Sequence, residues 1–138
     1  MNDLIRSIIA EIAGHTGASD AYTLVGGRIF RTQAPSQIIG KDDYYIVITL
    51  AGGAIERTFS RRNIEDHRIQ VSVFGPLTHD YATGGVIWKS LTDILDNAAP
   101  FALDGETTMV MRREGLPREM VDGERIHING DWILERLT

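Results

Sequence analysis

Four histidines, His15, His67, His79 and His127, are the side chains of this sequence best suited to moving protons or ligating metal. No two of them stand three or four residues apart, so no single helix or turn presents a local chelate. His79-Asp80 has the order of the dipeptide at the kernel of some metal phosphohydrolase sites. That chemistry needs further His and Asp ligands from a helical bundle, and a surface histidine beside a helix cap is the simpler reading. Asp42-Asp43 could offer hard oxygens to a cation, and equally reads as a solvated turn before a strand. His67 and His127 fall on the polar faces of strand patterns, where a meeting across a sheet would make a pH-sensitive contact. Cysteine is absent, which excludes a thiol nucleophile, a disulfide framework and a cysteine zinc site. The sequence contains no GxxxxGK[ST], HExxH or GxSxG motif. The pairs Gly26-Gly27, Gly52-Gly53 and Gly84-Gly85 read as turns or a loose helix start, not as a phosphate cradle.

The elements that would position these groups are legible from periodicity. Leu4, Ile5, Ile8, Ile9 and Ile12 recur at spacings of three and four, predicting an amphipathic helix from an Asn2 or Asp3 cap to Gly14. A loop to Asp20 and a short strand at Arg28–Arg31 follow. Residues 32–43 form a longer connection with an apolar pair, Ile38-Ile39, at its centre. Tyr44–Leu50 is the strongest strand signal, aromatic and β-branched without a breaker. Gly52-Gly53 is expected to turn it into a second hairpin arm at Ile55–Ser60, with Arg61-Arg62-Asn63 and Glu65-Asp66 in an exposed loop. His67–Phe74 alternates, with Ile69, Val71 and Val73 on one side and Arg68, Gln70 and Ser72 on the other. A second helix is expected from a Thr78 or Asp80 cap to Asn97-Ala98, with Trp88 in its apolar stripe. Gly84-Gly85 inside it implies a late start or a close backbone approach. Strand patterns then return at Thr107–Arg113, Arg118–Val121, Glu124–Asn129 and Trp132–Leu137. Turns are expected near Gly115-Leu116-Pro117, at Asp122-Gly123 and at Gly130-Asp131. The expectation is a single α+β domain over residues 1–138, a largely antiparallel or mixed sheet with two main helices packed on one face.

The chain has 138 residues, is 43% hydrophobic and carries a net charge of −5, an unpromising balance for gripping nucleic acid through its phosphates. The acid concentrates in residues 101–138, with five Lys or Arg against eight Asp or Glu. Twelve of the fourteen cations are arginine, which is favoured at protein interfaces, although genome base composition would give the same bias. No segment approaches the ~20 apolar residues of a membrane-spanning helix. With no catalytic constellation, metal cluster or cofactor motif, the exposed faces remain as the place for function. The loop around Ile38 and Ile39, the Arg61-Arg62 loop and the Arg112-Arg113 pair are candidate oligomer contacts. Trp132 is read as packing back on the sheet, with an interface anchor as the alternative.

The order of segments resembles the tail completion proteins of long-tailed phages and prophages, also called tail terminators or head–tail joining proteins. The matching pieces are the helix Asp3–Ala13, Gly27-Arg28-Ile29-Phe30 followed by Ala34-Pro35, Tyr45-Ile46-Val47-Ile48, Arg68–Phe74 and the helix Tyr81–Leu95. The likeness covers residues 1–98, with Asp42-Asp43 standing where members often have a proline. It implies a non-enzymatic structural protein of the virion, assembled in the bacterial host cytoplasm. Such proteins form a ring of copies of themselves, commonly six, which ends the tail tube and joins it to head–tail connector proteins. It implies no cofactor, no catalytic residue and no membrane. In such a ring an acidic lining would let DNA pass without specific binding, and Glu119, Asp122 and Glu124 are candidates for that lining. Two alternatives stand beside it. One is a small ligand- or peptide-binding module using Arg68, Gln70 and Ser72; the other is a small hydrolase built from His67, Asp80 and His127.

Overall fold

A computed structural model describes residues 2–32, 34, 43–57, 63–76, 81–96, 101–103, 107–122 and 125–137. Within them, side chains are described over 5–32, 34, 43–50, 68–76, 82–96, 113–121 and 125–134. The element order is α1 (Asn2–Ala13), α2 (Ala21–Leu24), β1 (Ile29–Arg31), β2 (Tyr45–Arg57), β3 (Asn63–Pro76), α3 (Tyr81–Asp96), β4 (Phe101–Leu103), β5 (Thr107–Asp122) and β6 (Arg125–Leu137). The strands form one mixed sheet in the order β1-β2-β3-β6-β5-β4. Among the described residues β1·β2 is the parallel pair and every other neighbouring pair is antiparallel.

The helices cover one face of this sheet, as the alternation of apolar residues requires. Ile5, Ile8 and Ile12 of α1 and Ile87, Leu91 and Leu95 of α3 join Ile46, Ile48, Ile69, Val71, Val73, Ile126, Ile128, Trp132 and Leu134 in one buried cluster. Each fully buried Ile or Leu contributes about 1.5–3 kcal/mol of transfer free energy, so this face supplies most of the driving force. Trp88 and Trp132 meet within it, ring centroids 5.5 Å apart, and Trp132 is fully buried.

Three expected turns need correction. The chain does not turn at Gly52-Gly53: β2 runs through it to Arg57, with only a register shift between Leu50 and Gly52, and pairs with β3 from Asn63 onward. The stretch expected as an exposed loop before His67 is therefore already strand from Asn63. β5 likewise does not turn at Gly115-Leu116-Pro117 but bulges there, between the pairs Glu114↔Asp131 and Arg118↔Asn129. Nor does the chain turn at Gly130-Asp131. Gly130 lies inside β6, where an added Cβ would stand 2.8 Å from the Trp88 ring. No expectation covered α2, a single helical turn too short to show a period. Asp20 spends its carboxylate on the Gly17 N–H (2.8 Å) and makes no side-chain cap to α2. The buried Ser90 hydroxyl of α3 instead accepts the Ala21 N–H at 2.8 Å, from 69 residues along the chain. Ser90→Ala is expected to lower stability by ~1–2 kcal/mol, because a buried donor loses its partner. A urea midpoint equal to that of the unsubstituted chain would refute this role.

Two short strands leave the sheet ends uneven. β1 flanks only Ile46–Ile48 of β2, and β4 flanks only Thr107–Met109 of β5. Among the described residues, no strand lies beside the outer edge of β2 from Thr49 onward, or of β5 from Val110 onward.

Candidate functional site

The sheet face opposite the helices carries the chemistry of this fold. Alternation from the buried isoleucines and valines sends Tyr45, Phe74, His127 and Met120 to this side. The register sets them in one row across β2, β3, β6 and β5. The Tyr45 and Phe74 rings stack with centroids 5.1 Å apart, and Phe74 stacks on the His127 imidazole at 4.2 Å. Phe30 meets Tyr45 edge-on at 6.3 Å. Ala34, Tyr45 and Val47 are buried here, forming a second, smaller apolar cluster with Phe30 and Phe74. Arg125 places its guanidinium carbon 5.5 Å from the Tyr45 ring centre and donates to the Tyr45 hydroxyl at 3.1 Å, adding a cation–π contact.

Beside the aromatic row lies a polar network. Arg118 Nε donates to Asn129 Oδ1 at 2.9 Å, and Asn129 is almost fully buried. That donor fixes the amide orientation, so Asn129 Nδ2 faces His127 Nε2 at 3.3 Å as donor to acceptor. Arg118 and Arg68 both approach Asp131 Oδ2, at 3.7 and 3.8 Å. Arg68 Nη2 also lies 2.5 Å from Glu114 Oε2, a close ion pair without the alignment of a hydrogen bond. These cations and acids neutralise one another across β3, β6 and β5. Half-exposed pairs of this kind add little to stability, and they fix the side chains of the face.

The histidines do not come together. His67 pairs with Leu134 and His127 with Phe74, so seven residues of β3, about 23 Å of strand, separate them. The expectation of a shared polar face also fails: by register, position 67 falls in the helix-side row of Ile69 and Leu134, whereas His127 stacks on Phe74 on the other face, so the contact is not formed and a site uniting His67 with His127 is excluded. His15 is exposed, 3.7 Å from Glu11 on α1. Asp43 is exposed; Asp42, His79 and Asp80 lie outside the described residues. Among the described residues no three His, Cys, Asp or Glu side chains converge to hold a metal ion. An open groove of about 470 Å³ runs between the α1–α2 connection and α3, lined by His15, Asp20, Lys89 and Asp93 among others.

Of the expected contact residues, Ile38, Ile39, Arg61 and Arg62 lie outside the described residues, as does Glu124. Arg112 and Asp122 are placed on β5 by their backbone alone. Arg113 turns to the helix side, its Nε 3.5 Å from Asp96 Oδ2 on α3. Glu119 is exposed on β5. Trp132 packs back on the sheet and donates its indole N–H to Asp96 Oδ1 at 2.9 Å. Arg68, Gln70 and Ser72 share the helix-free face, as their alternation predicts. Sequence reading missed the aromatic row, because Phe30, Tyr45, Phe74 and His127 come from four separate strands. Only the register aligns Tyr45, Phe74 and His127.

No protein-family model matches the sequence, and no curated protein matches it at a significant level. The fold does have a solved counterpart. A chain of the virion of a native gene transfer agent (GTA) particle superposes with a TM-score of 0.68 at 14% identity. The match covers 98% of this chain and 95% of that one, so the two share an architecture from end to end.

Proposed function

We propose that this chain is a non-enzymatic structural protein of a phage-like virion, and that it acts as a tail terminator. A ring of its copies, most simply six, ends the tail tube and presents a surface to the head–tail connector. The observation that carries the reading is the near-complete correspondence of fold with a chain of a gene transfer agent virion. The segment order over residues 1–98, which resembles tail completion proteins, supports it independently. So does the helix-free face, whose charged groups are spent on one another and not on a convergent cleft.

The direct test is negative-stain microscopy of the purified chain, alone and mixed with purified tail tubes of the same particle. Rings in solution, or caps on one end of the tubes, are the expected result. Tubes whose ends and length distribution are untouched by the chain would count against termination. A virion role without tube binding would be read from its presence in purified particles by mass spectrometry.

Within this reading we assign Asp122 and Glu124 to the lumen lining, where negative charge keeps DNA from sticking; Glu119, also expected there, is paired with the helix-side core residue Ile128 and so lies on the opposite face of β5 from position 122. Replacing both with lysine changes the charge per copy by about four, multiplied by the copy number around the ring. DNA ejection from particles carrying the double variant is expected to slow several-fold at low salt and to recover as salt screens the lining. Ejection kinetics indistinguishable from wild type at low salt would remove these residues from the lumen.

A further inference from the structure

The two uneven ends of the sheet carry most of the exposed large apolar side chains. Among the described residues these are Leu50, Val86, Leu116, Met120 and Val121. Leu116, Met120 and Val121 sit on the stretch of β5 that β4 leaves uncovered, and are 84%, 47% and 61% exposed. Leu50 sits on the stretch of β2 that β1 leaves uncovered. An edge with apolar residues and no strand beside it invites pairing, and natural proteins normally blunt such edges or fill them. The bulge with Gly115 and Pro117 blunts only the middle of β5, since Pro117 has no N–H to give a neighbour. Arg118–Asp122 below it is regular, paired residue by residue with Arg125–Asn129 on its inner side.

We infer that Arg118–Asp122 of one copy pairs antiparallel with the edge of β2 beginning at Thr49 of a second copy, seating Val121 against Leu50. The inference rests on the ring reading and names its interface. Three features favour this partner. First, β2, β3, β6 and β5 alternate in direction, so β5 of one copy meets β2 of a like-oriented neighbour antiparallel, the sense of every adjoining pair except β1·β2. Second, Leu50 pairs with Ile69 and Val121 with Ile126, both core residues of the helix side, so the two apolar side chains share one face. Third, β1 and β4 lie at opposite heights of the sheet. Copies can join only with an offset along the strands that carries β1 of one past the end of β5 of the other, and that offset brings Leu50 beside Val121. The contact is heterologous, each copy offering two different edges. It therefore propagates from copy to copy and closes as a ring, where β5 meeting β5 would stop at a dimer.

The chain has no cysteine, so introduced ones report alone. The experiment compares Leu50→Cys, Val121→Cys and the double variant, each treated with a short bismaleimide after light scattering has established the assembly state. The double variant is expected to give a ladder of linked dimers, trimers and higher species, and each single variant only monomer. In parallel, Val121→Lys is expected to keep the circular dichroism and melting temperature of the parent while shifting it from assembly to monomer. Linked dimers from Val121→Cys alone would mean that β5 meets itself, and would overturn the inference. So would an assembled double variant that does not link, or a Val121→Lys chain that assembles like the parent; the ring reading would survive both. A chain that stays monomeric at the highest attainable concentration, and on tail tubes, would overturn both readings together.

Discussion

Replacing Trp132 with alanine is expected to destabilise the fold by ~3–5 kcal/mol, a large part of the stability of a domain of this size. Trp132 has no exposed surface and stands where the sheet, α3 and Trp88 meet. Its removal leaves a cavity between layers that are held apart by Trp88 and by the isoleucines around it, so little collapse is available. The indole also ties two elements, because Asp96 accepts its N–H through Oδ1 while Oδ2 faces Arg113 of β5. Trp132→Phe separates the contributions. It keeps most of the ring contact and gives up the hydrogen bond, for about 1–2 kcal/mol. Urea titrations of both variants check this. The midpoints should fall in the order parent, Trp132→Phe, Trp132→Ala with an unchanged slope. An alanine variant within about 1 kcal/mol of the parent would show that the packing at this junction is not what holds α3 to the sheet.

The second large effect is expected at Gly75. This residue is buried near the end of β3, paired with Ile126. The Tyr44 ring lies flat against its backbone, so that a Cβ built there would fall 2.0 Å from Cε1 and 2.1 Å from Cδ1 of the ring. Tyr44 is itself buried in the main cluster, and its carbonyl accepts the Arg28 Nε–H at 2.9 Å. The ring cannot swing away without opening the core, and the backbone cannot shift without loosening the ladder to β6. Gly75→Ala is therefore expected to cost ~3 kcal/mol, the upper end of overpacking penalties. The partner identifies the mechanism. In a Tyr44→Leu background the added methyl group has room, and the cost of Gly75→Ala should fall below about 1 kcal/mol in a double-mutant cycle. An equal cost in both backgrounds would assign the effect to the strand and not to the ring.

Both residues mark where local reading of the chain stops. Trp132 was expected to pack back on the sheet after a turn at Gly130-Asp131; it does pack there, but from inside β6 and without that turn. That expectation needed no knowledge of α3. Gly130, two residues earlier, has no side chain to declare its surroundings. With Asn129 and Asp131 it spells a turn, yet it is strand interior because the Trp88 ring, 42 residues away in sequence, takes the space its Cβ would fill. The glycines at 52 and 53 and at 115 failed in the same way. A glycine is compatible with a turn, a bulge or a flat contact, and the choice among them belongs to the partner strand. Gly84 is the counter-case. Of the two readings of the Gly84-Gly85 pair, a late helix start or a close approach, the structure has the second at Gly84, where a Cβ would stand 3.0 Å from Ile126 Cδ1.

The pairing of His67 with His127 that the sequence suggested failed for a related reason. His67 and His127 each sit on a strand, as alternation predicts, but only the ladder says how far apart they stand. The same ladder created what no window of sequence contains: a row of Tyr45, Phe74, His127 and Met120 drawn from four strands, and two uncovered edges at opposite ends of one sheet.

The amino-acid sequence alone determined the two long helices, the strand-rich remainder, the apolar side of β3 and the α+β class. These depend on periods of 3.6 and 2 residues, which short-range chemistry enforces within each segment. Tertiary structure decided strand order, the fate of each glycine, the capping of α2 by Ser90 and the exposed rims of the sheet. Those depend on which distant segment arrives alongside, a choice made by burying the whole apolar face at once, which no segment can encode by itself.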